Sequence, residues 1–523
     1  MSYDYIVIGA GSAGCAVAGR LSERADLKVL VLEAGGADDE PNIHVPAAFP
    51  HLFKTPLDWN YETEPQEHCD GRTDYVPRGK MFGGSSSINA MVYQRGNPAD
   101  YDRWAALGNA GWAWQDVLPY FKKAQNQERG ASTAHGIGGP INVADQRDPN
   151  PLTVAFVGAC KEQGLKMNED FNAGQQEGFG FYQVTQKDGM RWSAARGYLH
   201  PALGRKNLDV VAGALVLRLT FDGTRCTGCV YAKDGAEQTV EASREVILCG
   251  GAINSPQLLM LSGIGPKAHL ESLGIAVVKD LPGVGQNLQE HLMVPVAYHC
   301  KEPITLAAAA TPEQAARLQT EGKGLLTSNI AEAGGFVRLS PDAPAPEMQF
   351  HFGPTWFVYH GAGNPEGHGF TLLPGVVATK SVGKLELRSA DPTDPPRIDP
   401  NYLAAPEDMA VLVEGVKLAR RILGSSTFAR YRGAEHLPGE AVRTDEDIKA
   451  FIRTYVQNIY HPVGTCKMGN DPAAVVDHRL RLHGMTGLRV ADASIMPKII
   501  NANTNNPCIM IGEKCADMIL NEA

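Results

Sequence analysis

The segment Tyr3-Asp-Tyr-Ile-Val-Ile-Gly9-Ala-Gly11-Ser-Ala-Gly14 decides the fold of this chain. Its β-branched, mostly apolar beginning is typical of a buried parallel strand. Small and apolar residues continue at helical spacing from Cys15 to Leu21. In such a strand–turn–helix unit, Gly9 permits a tight turn, Gly11 lets a pyrophosphate approach the backbone, and Gly14 lets the helix pack on the strand. The segment therefore predicts a dinucleotide site at a helix N-terminus.

A second apolar run, Lys28-Val-Leu-Val-Leu-Glu33, places an acid at the tip of the next predicted strand. A carboxylate at that point can bind the ribose hydroxyls of a dinucleotide, and it disfavours the 2′-phosphate of NADP. We expect Ser12 and Ala13, at the start of the helix, and Ala34, next to Glu33, to line the same site. This part of the chain leaves NAD and FAD open.

The composition limits the class of protein. A chain of 523 residues, 43% of them hydrophobic and 20% charged, has the composition of a globular protein and excludes a disordered or fibrous chain. Its length corresponds to about two to four domains. The net charge of −10 argues against a nucleic-acid partner, because such a protein needs a basic face that displaces counterions from phosphates.

The cysteines and the apolar runs bear on the location of the protein. Ten cysteines are scattered along the chain, which favours a reduced compartment. One CxxC, Cys226 to Cys229, has no second pair that would complete a zinc site, so we expect no bound metal. The sequence begins without a recognisable secretory signal and contains no apolar run of membrane-spanning length. The expectation is a cytoplasmic protein without a transmembrane segment, and peripheral contact with a membrane stays open.

Three further segments bear on the cofactor. They are Arg78-Gly-Lys-Met-Phe-Gly-Gly-Ser-Ser-Ser-Ile-Asn-Ala-Met91, Tyr460-His-Pro-Val-Gly-Thr-Cys-Lys-Met468, and the stretch from Leu488 to Pro507. Together with the N-terminal glycines they resemble the glucose–methanol–choline (GMC) oxidoreductase family of flavoenzymes, and segments 250–259 and 283–291 agree with this. The resemblance covers essentially the whole chain and is close to the bacterial alcohol and choline dehydrogenases. It implies FAD rather than NAD, and hydride transfer from an alcohol carbon to the flavin N5.

The resemblance also implies which side chains act on the alcohol and which hold FAD. His461 is the expected base above the flavin N5, and histidine suits this role because its ordinary pKa of about 6.5 leaves the free base abundant at neutral pH. Asn503 occupies the second catalytic position of the family, where its amide can donate a hydrogen bond to the substrate oxygen but cannot act as a base. The remaining residues expected to contact FAD are Gly83, Gly84, Ser85, Asn89, Ala90, Val216, Tyr460, Asp492, Ala493, Thr504 and Asn505.

Ile88 marks a departure from some members of the family. Those members carry at this position a histidine that is bonded covalently to the flavin. An aliphatic side chain cannot form that bond, so we expect FAD to be held non-covalently.

The segment Asn505-Asn506-Pro507 opens a predicted helix that runs from Cys508 to Leu520, with asparagine as its cap and proline at its first position. The N-terminus of a helix carries about half a positive charge. Aimed at the flavin pyrimidine ring, it would stabilise the negative charge that develops there during the reaction.

The fold class expected is α/β, with a Rossmann-like FAD-binding domain and a second α+β substrate domain built on an antiparallel sheet. Alternation in Met348–Phe352 and Lys384–Arg388 predicts strands of that second sheet, and an alanine-rich stretch predicts a helix over Leu306–Glu321. Gln349 and His351 share one face of their strand, which is either the floor of a substrate pocket or a solvated face. The FAD-binding domain is assigned residues 1–155, 190–298 and 452–523, and the substrate domain 156–189 and 299–451.

The predicted reaction is the FAD-dependent oxidation of an alcohol, with a primary alcohol favoured, to the aldehyde. The electron acceptor stays open between a quinone-like carrier, which the bacterial branch favours, and O2, whose reduction would produce H2O2. A flavin-containing lyase of the same fold is a less favoured alternative. His461 in its full motif argues against a light-driven decarboxylase and against a nucleotide-binding module without catalysis.

Overall fold

The computed structural model describes residues 2–522. Two large β-sheets form the frame of this part of the chain, and helices cover their faces. The helices are Ser12–Leu21, Pro41–His44, Pro98–Ala106, Trp114–Ala124, Pro151–Glu162, Gly251–Leu261, Lys267–Ser272, Pro312–Glu321, Pro406–Leu423, Asp445–Tyr455 and Asn505–Leu520. Small strand pairs are Tyr61–Glu62 with Tyr75–Val76, Gln125–Gln127 with Ile141–Val143, Gln186–Lys187 with Met190–Arg191, Ile264–Gly265 with Lys279–Asp280, and Lys384–Glu386 with Arg397–Asp399.

The first sheet contains the predicted dinucleotide unit. Its strands in spatial order are Leu208–Val211, Val29–Leu32, Ser2–Ile8, Ala236–Leu248, Arg225–Lys233 and Leu215–Asp222, with Leu488–Val490 also paired to Ala236–Leu248. The N-terminal strand runs parallel to both of its neighbours, with Ile8 opposite Leu32 on one side and Leu248 on the other. The parallel strands therefore end at one edge of the sheet, where Gly9 and Glu33 follow them.

The turn after the first strand leaves no room for a side chain. Gly9 has a φ of +100°, and a Cβ there would lie 2.6 Å from the carbonyl oxygen of Cys249. A Cβ on Gly14 would lie 1.9 Å from the carbonyl oxygen of Gly9, so the helix Ser12–Leu21 packs directly on the turn. This is the close approach that the glycine spacing predicts.

The C-terminal helix packs against the first helix. The hydroxyl of Ser12, at the start of the first helix, donates a hydrogen bond of 2.7 Å to the side-chain oxygen of Asn505, at the start of the C-terminal helix. Further along, the buried carboxylate of Glu513 accepts hydrogen bonds from the Arg20 guanidinium and the Tyr198 hydroxyl. The two helix N-termini therefore lie side by side at the edge of the first sheet.

The second sheet is antiparallel. Its strands in spatial order are Arg432–Leu437, Val296–Cys300, Gly369–Val376, Met348–Gly353, Ala333–Val337 and Gly178–Phe181, and the short strand Leu292–Met293 pairs with both Gly369–Val376 and Gln457–Asn458. After Gly178–Phe181, the chain therefore returns to this sheet at residue 292, before the predicted boundary at 298, and contacts it again at 457–458. The division into two domains stays a prediction.

Three predicted elements differ in the structure. The predicted helix Leu306–Glu321 is shorter, Pro312–Glu321, because the hydroxyl of Thr311 caps a new helix start. Lys384–Glu386 pairs with Arg397–Asp399 outside the second sheet, and Leu385 donates its N–H to the carbonyl oxygen of Gly285. Met348–Gly353 is a strand of the second sheet, but both of its faces are buried, so a solvated face for Gln349 and His351 is wrong.

No helix between residues 2 and 522 combines the length and the apolar character that crossing a membrane requires.

Candidate active site

A single cavity brings together most of the site residues expected from the sequence, between the carboxyl edge of the first sheet and the second sheet. Gly14 and Gly83 lie behind its wall, where Gly14 packs the helix on the turn and the N–H of Gly83 donates to the carbonyl oxygen of Ala10 at 2.7 Å. The expected residues that line the cavity are Gly9, Gly11, Ser12, Ala13, Glu33, Ala34, Gly84, Ser85, Asn89, Ala90, Val216, Tyr460, His461, Asp492, Ala493, Asn503, Thr504 and Asn505.

The end of the cavity near the first strand fits a dinucleotide. The Glu33 carboxylate accepts the N–H of Ala10 and the N–H of Gly35, each at 2.8 Å, which fixes it at the tip of its strand. Among the described residues, no side chain caps the helix Ser12–Leu21, and its first turn contains no acid. Its free N–H groups are therefore available to an anion such as a pyrophosphate. A Cβ on Gly11 would meet one described atom within 4 Å, at 3.9 Å, so this backbone is open to the cavity.

The N-terminus of the C-terminal helix reaches the same cavity through Thr504, Asn505 and Cys508. The helix begins at Asn505 rather than at Cys508, and Pro507 occupies its third position rather than its first. Proline is tolerated there because the first four N–H groups of a helix have no partner within the helix. The first turn contains no acidic residue, and none of the described side chains caps it. This end of the helix can therefore stabilise anionic charge on a group in the cavity.

These features together fit FAD. Two uncapped helix N-termini, a fixed carboxylate and an open backbone at Gly11 match the pyrophosphate, ribose and anionic ring of this cofactor. Ile88 lines the cavity with hydrocarbon, which offers no atom for a covalent bond to the flavin. Within residues 2–522, no group of three or more histidine, cysteine or acidic side chains is arranged to hold a metal ion.

His461 is held from both sides of its ring and from its backbone. Its Nδ1 lies 3.1 Å from Nδ1 of His291, and its Nε2 lies 3.3 Å from the amide nitrogen of Asn503. The backbone N–H of His461 donates to Oε1 of Glu290 at 2.5 Å, and the same oxygen accepts the N–H of His291 at 3.0 Å. Burial first, and then nearby His291, His351 and Arg78, hold the pKa of His461 well below its ordinary value. The imidazole is therefore neutral and can accept a proton.

Asn503 is oriented by its neighbours on the second sheet. Its side-chain oxygen accepts a hydrogen bond from the amide of Gln349 at 3.0 Å, so its NH2 group faces His461. His351, on the same strand as Gln349, is buried, lines the cavity and lies near the side chain of Asn503. The face shared by Gln349 and His351 therefore points toward the candidate active site.

Apart from the polar groups around His461, the part of the cavity beyond the dinucleotide end is mostly apolar. Among the described residues, the carboxylates that line the cavity are Glu33 and Asp492, and both accept backbone N–H groups of the first sheet's edge. Arg78 lines the cavity as well, and its guanidinium donates to the carbonyl oxygen of Tyr460 at 2.7 Å. The apolar lining comprises Phe49, Phe53, Met293, Ile330, Phe357, Leu373 and Ile459.

The residues near His461 that were not predicted as site residues include three charged or titratable side chains. Arg78, Glu290 and His291 all lie in segments 78–91 and 283–291, whose resemblance to the family was noted. The signal that could have found Glu290 and His291 is the pair of titratable residues that ends an otherwise uncharged motif. Their contacts with His461, at the other end of the chain, could not be obtained from the motif itself.

Comparison with known proteins agrees with this geometry. Sequence models of the GMC oxidoreductase family match residues 3–293 and 379–512. The chain is 46% identical to the alcohol dehydrogenase (acceptor) of Pseudomonas putida, over 99% of the chain and 96% of that protein. It is 47% identical to the mitochondrial choline dehydrogenase of Homo sapiens, over 99% of the chain and 89% of that protein. Among solved structures, pyridoxine 4-oxidase from Mesorbium loti is similar, with a TM-score of 0.91, 32% identity and 99% of both chains covered.

Proposed function

The chain belongs to the GMC oxidoreductase family, and we propose that it oxidises an uncharged primary alcohol to the aldehyde and passes the electrons to a quinone-like acceptor. The FAD-dependent oxidation of a CH–OH donor follows from membership of the family and from its relatives. The kind of alcohol and the identity of the acceptor are the parts that we propose.

The role of each residue in the site follows from which groups donate hydrogen bonds and which accept them. FAD, when bound, supplies the group that accepts the hydride from the alcohol carbon. His461 Nε2 receives the hydroxyl proton, because a neutral imidazole with a free lone pair is a suitable general base. The NH2 group of Asn503 donates to the alcohol oxygen and stabilises its developing negative charge. The observation that carries this proposal is the 3.3 Å contact between these two groups on the wall of the cavity.

The charge of the lining supports an uncharged substrate. A quaternary ammonium group is usually recognised by a carboxylate or by the faces of an aromatic cage. The two carboxylates of the described lining are engaged at the dinucleotide end, and Arg78 adds a positive charge near His461. The ring of Phe53 packs edge to face on the rings of both Phe49 and Tyr460. A buried cation without a partner is unfavourable in such a pocket.

A pair of alcohols of equal shape tests the substrate class. Choline and its carbon isostere 3,3-dimethylbutan-1-ol differ only in the charge of the central atom. We expect the isostere to reduce the enzyme-bound FAD with a kcat/KM at least about tenfold higher, because choline must bury an unpaired cation. Anaerobic stopped-flow absorbance measures both rates on one preparation. An equal or higher kcat/KM for choline would contradict the uncharged substrate.

The identity of the electron acceptor can be tested by comparing turnover with a quinone and with O2 and by measuring the peroxide formed. The Pseudomonas putida relative is named for a separate acceptor, which supports a quinone-like carrier here. We expect turnover with a soluble ubiquinone analogue to exceed turnover with O2, and peroxide to account for a small fraction of the alcohol oxidised in air. A yield of one peroxide per aldehyde, with no gain from the quinone, would instead identify an alcohol oxidase.

Two further properties belong to the proposal. We propose that FAD is bound non-covalently, which the hydrocarbon of Ile88 at the cavity wall supports. We also propose a cytoplasmic location, which the ten free cysteines support because thiols persist in a reducing compartment.

A further inference from the structure

We propose that His291 is a positioning residue that keeps the ring proton of His461 on Nδ1 and leaves the lone pair on Nε2, the atom that receives the alcohol proton. This inference rests on the proposed function, because it concerns the choice of the reacting nitrogen. His291 is fully buried and is not among the residues that line the cavity, so it acts through His461 and not on the substrate.

The backbone carbonyl of Val377 fixes the proton of His291. Nε2 of His291 lies 3.0 Å from this oxygen. A carbonyl oxygen only accepts hydrogen bonds, so Nε2 of His291 must carry the proton. Burial lowers the pKa of His291 to about 3 although the backbone groups of Val377 and Ile500 act in the opposite direction, so the ring is neutral. With its proton on Nε2 toward Val377, the other nitrogen, Nδ1, has a lone pair.

The lone pair of His291 in turn fixes the proton of His461. The two Nδ1 atoms lie 3.1 Å apart. Because Nδ1 of His291 is an acceptor, Nδ1 of His461 must be the donor, and Nε2 of His461 is then unprotonated. In the other tautomer of His461, two lone pairs would face each other, or His291 would turn its proton away from Val377 and leave a buried carbonyl without a partner.

On the Asn503 side of His461, the hydrogen bonds run in the same direction, and the hydroxyl of Tyr182 fixes the orientation of Gln349. The hydroxyl of Tyr182 donates to the carbonyl oxygen of Phe350 at 2.6 Å, so its oxygen is free to accept the amide of Gln349. The same amide donates to Asn503, whose NH2 group then faces Nε2 of His461. The hydrogen bonds thus run in one direction, from Gln349 through Asn503, His461 and His291, to the carbonyl oxygen of Val377.

Glu290 keeps the two imidazoles at this spacing. Its Oε1 accepts the backbone N–H groups of both His291 and His461, although the two residues are far apart in the sequence. The charged and titratable groups near the pair are Glu290 itself, Arg78 and His351. Since none of them donates to Nδ1 of His291, its lone pair is left to His461.

Two variants of His291 separate its acceptor role from its volume. His291→Leu keeps an apolar side chain in the core but removes the acceptor. His291→Asn retains an oxygen at the same number of bonds from Cβ as Nδ1. We expect His291→Leu to lower the rate constant of FAD reduction by roughly 10- to 100-fold, with little change in KM, as for the loss of one buried hydrogen bond. His291→Asn should recover most of the rate, and both variants should retain FAD.

A spectroscopic measurement on the wild-type holoenzyme tests the same claim without any alcohol. In protein labelled with ¹⁵N-histidine, the ring nitrogen shifts distinguish the two neutral tautomers, and the spectrum of His461→Ala identifies the His461 signals. We expect the Nδ1–H form of His461 in the wild type and in His291→Asn, and a mixture with the Nε2–H form in His291→Leu.

The outcomes are distinct. An Nε2–H form of His461 in the wild type, or an unchanged tautomer and rate in His291→Leu, would overturn the proposal. If His291→Leu does not fold, the wild-type spectrum decides by itself. If the tautomer is as expected but no alcohol reduces the FAD, then the proposed function fails, while the control of the His461 tautomer by His291 stands.

Discussion

Replacement of His461 by alanine should lower the rate constant of FAD reduction by a primary alcohol by about 10²- to 10⁴-fold, which is the usual contribution of a general base. The reason is the position of Nε2 beside the Asn503 amide on the cavity wall, where the alcohol hydroxyl proton must be received. FAD stays bound, because the groups expected to hold its pyrophosphate and ribose lie at the other end of the cavity. Anaerobic stopped-flow absorbance measures the rate, and the flavin spectrum measures the occupancy.

His68→Ala is the matched control for this variant, because it removes an exposed histidine. It should leave both the rate and the flavin content unchanged. If His461→Ala were reduced at the rate of the wild type, then His461 would not be the base.

Replacement of Gly11 by valine should produce a folded protein without flavin. The backbone of Gly11 is extended, with φ −79° and ψ −164°, which valine adopts readily. A Cβ there meets one described atom within 4 Å, so the free protein has room for it, but the side chain occupies the place of the pyrophosphate. The flavin released by acid should fall from stoichiometric to a small fraction. The melting temperature should fall to that of flavin-free wild type, since a ligand at 1,000 times its Kd contributes about 4 kcal/mol.

Gly204→Val is the control for this experiment. Gly204 is exposed, is not among the residues that line the cavity, and has no described atom within 4 Å of an added Cβ. This variant should keep its flavin. Full flavin content in Gly11→Val would show that the pyrophosphate lies elsewhere.

The first sheet and the dinucleotide end of the site could be predicted from the sequence because their signals are local. The order of strand, glycines, helix, strand and acid lies within residues 3–33, and the turn at Gly9 has no room for a side chain. The alternation in Met348–Phe352 also predicted a strand, which the structure places in the second, antiparallel sheet. Local sequence patterns are sufficient to predict a part of the structure whose main contacts lie within one short segment of the chain.

The catalytic end of the site could be predicted only in part. The direction of its hydrogen bonds depends on two contacts, one between His291 and His461 and one between Gln349 and Asn503. The two residues of each contact are far apart in the sequence. No periodicity indicates which nitrogen of a histidine carries the proton, because a distant carbonyl such as that of Val377 decides it. For the same reason, alternation alone could not show that both faces of the Met348–Gly353 strand are buried.

We propose that this chain holds an oxidised flavin beside a histidine base and uses both to oxidise an alcohol. Anaerobic addition of an uncharged primary alcohol to the purified yellow protein tests it most directly. We expect the visible flavin absorbance to bleach as an equivalent amount of aldehyde forms, and to return on addition of a quinone. A flavin that stays oxidised in the dark with every alcohol offered, as expected for a lyase, would contradict it.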